Sequence, residues 1–79
     1  MIVYHVTSLK KLQRYLRSGQ INPPVRAWET IYHAERMSLS TGRRIILRLK
    51  FPDNAEVLDG HYGKARVINK PYRFSNNNY

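Results

Sequence analysis

The stretch MIVYHVTSLKKLQRYLRSGQINPP, residues 1–24, decides how the rest of the chain is read. Ile2, Val3, Tyr4 and Val6 are strand-prone residues placed around His5. Thr7 or Ser8 is positioned to cap a helix whose apolar residues Leu9, Leu12 and Leu16 recur at spacings of three and four. Gly19 suits a left-handed helix stop, with Ile21 folding back onto the helix. Asn22, Pro23 and Pro24 then prevent continuation, because proline lacks an N–H and restricts the residue before it.

Working outward, residues 25–41 carry an imperfect apolar stripe through Ala27, Trp28, Ile31, Ala34 and Leu39 that ends at Gly42. This predicts a second helix, with Pro24 at its first position and Glu29 near the positive end of its dipole. Arg44 to Phe51 reads as a strand: Ile45, Leu47, Leu49 and Phe51 alternate with Arg44, Ile46, Arg48 and Lys50. Pro52-Asp53-Asn54 is a turn, Ala55–Leu58 a brief strand, and Lys64–Ile68 a further alternating one. Tyr72–Phe74 can add an edge strand, and 75–79 form a polar, Asn-rich tail. The expected fold is a single α+β domain over 1–74, strand-helix-helix followed by three or four mainly antiparallel strands, with the helices packed on the sheet.

Composition narrows the function classes. Seventy-nine residues allow one domain with one small core. The absence of cysteine excludes disulfides and thiolate metal sites, and no His-x-x-x-His pair supports a metal centre. No apolar run approaches the roughly twenty residues of a membrane span, and no basic-then-apolar signal segment opens the chain. A soluble, cytoplasmic protein without membrane or metal partners is therefore expected.

Charge gives the strongest compositional signal. Fourteen Lys and Arg stand against five Asp and Glu, a net charge of +9 that attracts polyanions. Lys10, Lys11 and Arg14 lie on the first helix, Arg43, Arg44 and Arg48 at the central strand, and Lys64 and Arg66 on the later one. These residues are candidates for contact with nucleic acid or with an acidic, nucleic-acid-associated protein. Were the two basic strands to pair, they would form one positive surface. A plainly solubilising surface is the competing reading.

The ordered string Tyr4-His5-Val6-Thr7-Ser8, then Leu12, Leu16, Gly19, Ile21 and Pro23, resembles the opening of ADP-ribosyltransferase-like domains. In those families a Tyr-His-x-Thr-like strand leads into a helix ending Gly-x-Ile/Leu-x-Pro. The resemblance covers about the first third of the chain and weakens beyond it. It implies that His5 hydrogen-bonds the ribose of NAD and that Thr7 helps hold the nucleotide; two residues apart on a strand, they share a face. It also implies an aromatic ring against nicotinamide, for which Trp28, Tyr32, Tyr62 and Tyr72 are available, Trp28 following the proline exit where the family often places one. The family's late glutamate has only Glu56 to answer to it, one strand early, where Lys64-Ala65-Arg66 stands instead. The implied catalytic set is thus His5, Thr7 and Glu56, with protein-directed transfer put in doubt. Branches of the family acting on RNA phosphates rely on histidine and arginine, which this chain has in abundance.

The function implied is a small basic protein that binds NAD or a related nucleotide and acts on an anionic target. Two other classes compete with it. One is a non-catalytic nucleic-acid binder or phage-type inhibitor acting by occlusion. The other is a RelE-like endoribonuclease toxin, in which Lys64, Arg66, Tyr72 and Arg73 would act on RNA from the sheet. Gly60-His61-Tyr62-Gly63 is a glycine-flanked loop able to approach a phosphate, and plain turns share that pattern.

Overall fold

The computed structural model of the chain describes residues 1–60 and 65–74. Among them the chain runs β1 (Ile2–Thr7), α1 (Leu9–Ser18), β2 (Gln20–Ile21), β3 (Val25–Trp28), α2 (Ile31–Thr41), β4 (Ile45–Lys50), β5 (Val57–Asp59), β6 (Ala65–Ile68) and β7 (Tyr72–Arg73). A five-stranded antiparallel sheet has the order β4-β1-β3-β6-β5, and β2 and β7 form a separate two-stranded ladder.

β1 organises the sheet. It pairs with β4 along its whole length, Ile2 opposite Lys50 through Thr7 opposite Ile45. Because side chains alternate along a strand, Val3, His5 and Thr7 project to one face and Tyr4 and Val6 to the other. Both faces are covered. On the first, Val3, Val25, Leu49 and Ile68 are buried with Ile21 and Phe51, and Tyr15 of α1 packs against them. On the second, Val6, Trp28 and Ala65 are buried beneath Ala34 and Met37 of α2. Leu49, Ile68, Val3 and Val25 are among the largest fully enclosed side chains, so the first cluster is the main core.

Local signals account for both helices. Ser8 caps α1, its Oγ accepting from Lys11 N–H at 3.2 Å, and Gly19 closes it at φ 84° with its N–H on Tyr15 O. Thr30 caps α2 by accepting from His33 N–H at 3.3 Å, and Gly42 ends it at φ 74°.

The expected order of strand-helix-helix and then strands is overturned. Two strands separate the helices, and Val25–Trp28, expected to be helical, is β3. Val25 and Ala27 are buried on one face and Trp28 on the other, a period of two that a helix cannot satisfy. β3 also gains four paired positions on β6, from Val25 opposite Ile68 to Trp28 opposite Ala65. The helix begins only after Thr30, so Glu29 precedes it and pairs with Arg66 at 2.8 Å. The helices lie on opposite faces of the sheet. With that order gone, the topological analogy to RelE-like nucleases has no footing.

Two finer expectations are also corrected. Leu9 and Leu16 are 60 % and 59 % exposed, and α1 docks through Tyr15 rather than through a leucine stripe. β4 and β6 do not pair, because β1 and β3 lie between them, so their basic residues form no merged surface. Lys64, the loop 61–63 and the tail 75–79 lie outside the described residues. No helix among the described residues is long and apolar enough to cross a membrane.

Candidate functional site

β1 and β3 are adjacent strands that share a single paired position, Tyr4 opposite Trp28. Beyond it they part, and backbone groups that would otherwise complete the ladder need other partners. The His5 side chain takes one of them: its Nδ1 lies 2.6 Å from the carbonyl oxygen of Arg26. A carbonyl only accepts, so Nδ1 carries the proton and Nε2 is the acceptor. Tyr15 O–H donates to that Nε2 at 3.3 Å, and the two rings stand 5.9 Å apart. His5 therefore ties β1, β3 and α1 together at one point.

Burial is the main influence on the imidazole and lowers its pKa below 6.5. The bond to the Arg26 carbonyl opposes this, while the positive charges of Lys11 and Arg43 reinforce it. His5 is consequently neutral at physiological pH.

Where the strands part, a concave cavity of ≈ 430 Å³ opens between the sheet and the C-terminal half of α2. His5, Val6, Arg26 and Trp28 form its strand wall, and Met37, Ser40, Thr41 and Arg43 the helix side. Its size lies in the range of small-molecule sites, and its lining follows their usual pattern of an apolar and aromatic base with few polar groups. Trp28, 5 % exposed, and half-buried Met37 make the apolar base of the cavity. Arg26 and Arg43 bring two positive charges suited to phosphate, while the Ser40 and Thr41 hydroxyls donate to the Met37 carbonyl at 3.3 and 2.8 Å. Among the described residues no carboxylate lines it.

The sequence-derived candidates scatter around this cavity. His5, Trp28 and Arg43 meet in it. Thr7, although on the His5 face of β1, is 0 % exposed, does not line the cavity, and its Oγ1 has no hydrogen-bond partner among the described residues. Glu56 precedes β5, on the far side of β6, and accepts a hydrogen bond from Asn69 Nδ2 at 2.8 Å. Tyr32 and Arg44 line a different depression, on the β4 side of α2. Arg66 is engaged by Glu29 and by Asp59 at 3.7 Å. Lys10 and Arg14 are exposed on α1, Lys11 is half-buried there, and Arg48 is exposed on β4.

Arg26, Met37, Ser40 and Thr41 belong to the cavity without having been singled out in the sequence. Arg26 had a usable signal: in Val25-Arg26-Ala27 a charge interrupts small apolar residues after a proline pair, as on a half-buried strand. Among the described residues no cluster of three or more His, Asp or Glu is placed to hold a metal ion. No protein-family model, curated protein or solved structure matches this chain.

Proposed function

We propose that the chain is an ADP-ribosyltransferase-like protein that binds NAD or a related nucleotide in the cavity between β1, β3 and α2, and acts on an anionic target. The observation carrying this reading is the meeting of His5, Trp28, Arg26 and Arg43 around one concave site. A planar base or nicotinamide ring can lie along the Met37 side chain and reach the small exposed part of Trp28, and phosphate oxygens can accept from the arginines. The Ser40 hydroxyl, which donates to the Met37 carbonyl, can still accept from a sugar hydroxyl. Bound NAD would supply the ADP-ribosyl group, with nicotinamide as its leaving group. The contribution of this chain would be to orient the nucleotide, stabilise developing charge and exclude water from one side. The net charge of +9 favours approach of a nucleic-acid or nucleic-acid-associated target.

A second reading, nucleotide or nucleic-acid binding without turnover, has its own support. Both ring nitrogens of His5 are engaged by Arg26 and Tyr15, and no carboxylate among the described residues lines the cavity. The two readings share a binding step and differ in whether nicotinamide is released.

Trp28 is the only tryptophan in the chain and therefore reports on the cavity directly. Titration with NAD should quench its fluorescence to saturation in wild type. Arg43→Ala, at an exposed position, should weaken the response about tenfold, the order expected for one lost charge-assisted contact. No saturable response, or one equal in Arg43→Ala, would refute nucleotide binding at this site. Free nicotinamide measured after incubation with NAD and RNA then separates transferase from binder.

A further inference from the structure

The sheet ends at β4, a regular six-residue strand that pairs with β1 alone among the described residues. Met1 and Phe51 exchange backbone hydrogen bonds, Phe51 N–H to Met1 O at 2.9 Å and Met1 N–H to Phe51 O at 2.7 Å. Antiparallel alternation from that pair turns the backbone of Ile45, Leu47 and Leu49 toward β1. Ile46, Arg48 and Lys50 therefore direct their N–H and C=O groups to the open edge.

A groove of ≈ 480 Å³ lies beside this edge, between α2 and β4, lined by Tyr32, Arg36, Leu39, Arg44 and Ile46 with Glu35 and Ser38. Tyr32 and Leu39 are 58 % and 77 % exposed and fall on one side of α2, seven residues apart with Arg36 between them. Arg36 donates to Tyr32 Oη at 3.2 Å and stands 5.7 Å from the ring centroid, which fixes that wall. Basic side chains alone would be enough to protect an edge strand from unwanted pairing. An apolar groove running beside it serves no such purpose.

We propose that the β4 edge and the α2–β4 groove receive an extended acidic segment of a partner protein as an added strand. Main-chain bonds to Ile46, Arg48 and Lys50 would hold it, and its alternate apolar side chains would enter the groove over Leu39 and Ile46. Its carboxylates would face Arg36, Arg44 and Arg48, where Glu35 is the one acid in the lining. The same charges argue against a second copy of this chain. Antiparallel pairing of two β4 strands about Leu47 sets Arg44 of each against Lys50 of the other, and pairing about Arg48 sets the two Arg48 side chains together; like charges across a ladder repel. This surface lies on the other side of α2 from the nucleotide cavity and stands independently of it.

The test uses the full ¹⁵N-labelled chain and an acetylated, amidated heptapeptide alternating Glu and Leu. We expect saturable shifts confined to α2 and β4, and slowed hydrogen exchange at the amides of Ile46, Arg48 and Lys50. Leu39→Glu and Arg44→Glu, both at exposed positions, should each weaken binding at least tenfold with unchanged circular dichroism. A peptide N-methylated on alternate residues, unable to form a ladder, should not bind. Equal binding by that peptide, or shifts centred elsewhere, would overturn strand addition. Tighter binding of an oligouridylate at the same residues would replace the proposal with an RNA surface. Protection that grows with protein concentration alone would replace it with self-association.

Discussion

The Nδ1 of His5 lies 2.6 Å from the carbonyl oxygen of Arg26, at the point where β1 and β3 cease to pair. An imidazole thus stands in for a missing ladder bond beside the candidate cavity. The contact explains how two neighbouring strands can part without leaving that carbonyl unpartnered. It also makes His5 a positioning residue of the fold, whatever the cavity binds.

Acid should loosen this brace. The folded-state pKa of His5 lies below 6.5, so the unfolded chain binds its proton first and stability rises with pH. The contribution is complete above about pH 6.5 and falls as pH drops below it toward the folded value. Urea midpoints should therefore decline between pH 7.5 and 5 in wild type, and much less in His5→Asn, whose amide can still donate to Arg26. Asp53, held below its usual 3.8 by a hydrogen bond from the amino terminus, acts in a separate and more acidic window.

Removing the His5 ring altogether should be costly. His5→Ala leaves the Arg26 carbonyl and the Tyr15 hydroxyl without these partners, a loss of about 1–3 kcal/mol. Chemical denaturation measures it, and partial recovery in His5→Asn would identify the Arg26 bond as the main part.

Three of the helix caps were legible because the relevant geometry is local. Ser8, Gly19 and Gly42 act on backbone within a few residues, and alternation in Ile45–Lys50 follows from the strand period alone. Val25–Trp28 was not legible in the same way. Ala27 and Trp28 fit a helical stripe through Ile31 and Ala34, and only pairing with Ala65–Ile68 decides for a strand. For the site, the spacing of His5 and Thr7 gave their common face but not depth, and Thr7 is enclosed by the core. The far wall comes from Met37, Ser40 and Thr41 in the C-terminal half of α2, which only tertiary packing brings opposite β1 and β3. Glu56 lies away from this cavity because β6 and β3 stand between β5, which it precedes, and β1.

The start of α2 can be tested at its cap. Thr30→Ala should cost about 1 kcal/mol, and Thr30→Asp should restore most of it. Urea unfolding measures both. An unchanged midpoint in Thr30→Ala would favour a helix starting earlier, near Pro24.

The two leucine environments predict opposite outcomes. Leu49→Ala, in the enclosed core, should cost about 2–5 kcal/mol, whereas Leu16→Ala on exposed α1 should stay within about 0.5 kcal/mol. A large loss from Leu16→Ala would restore the leucine stripe as the docking face of α1.

Close packing at Gly60 yields a further prediction. A methyl group added there would meet Ala65 Cβ at 2.9 Å, while Gly60 N–H bonds the Ala65 carbonyl at 3.1 Å. Ala65 is enclosed beneath Trp28, so Gly60→Ala should cost about 1–3 kcal/mol in thermal unfolding.

The central claim is that a nucleotide occupies the cavity where β1 and β3 part. Its most direct test is amide-resolved NMR of the ¹⁵N-labelled chain titrated with NAD at low and high salt. The account predicts saturable shifts centred on His5, Arg26, Trp28, Thr41 and Arg43 that persist at high salt. Shifts spread over Lys10, Arg14 and Arg48 and abolished by salt, or no shifts at all, would contradict it.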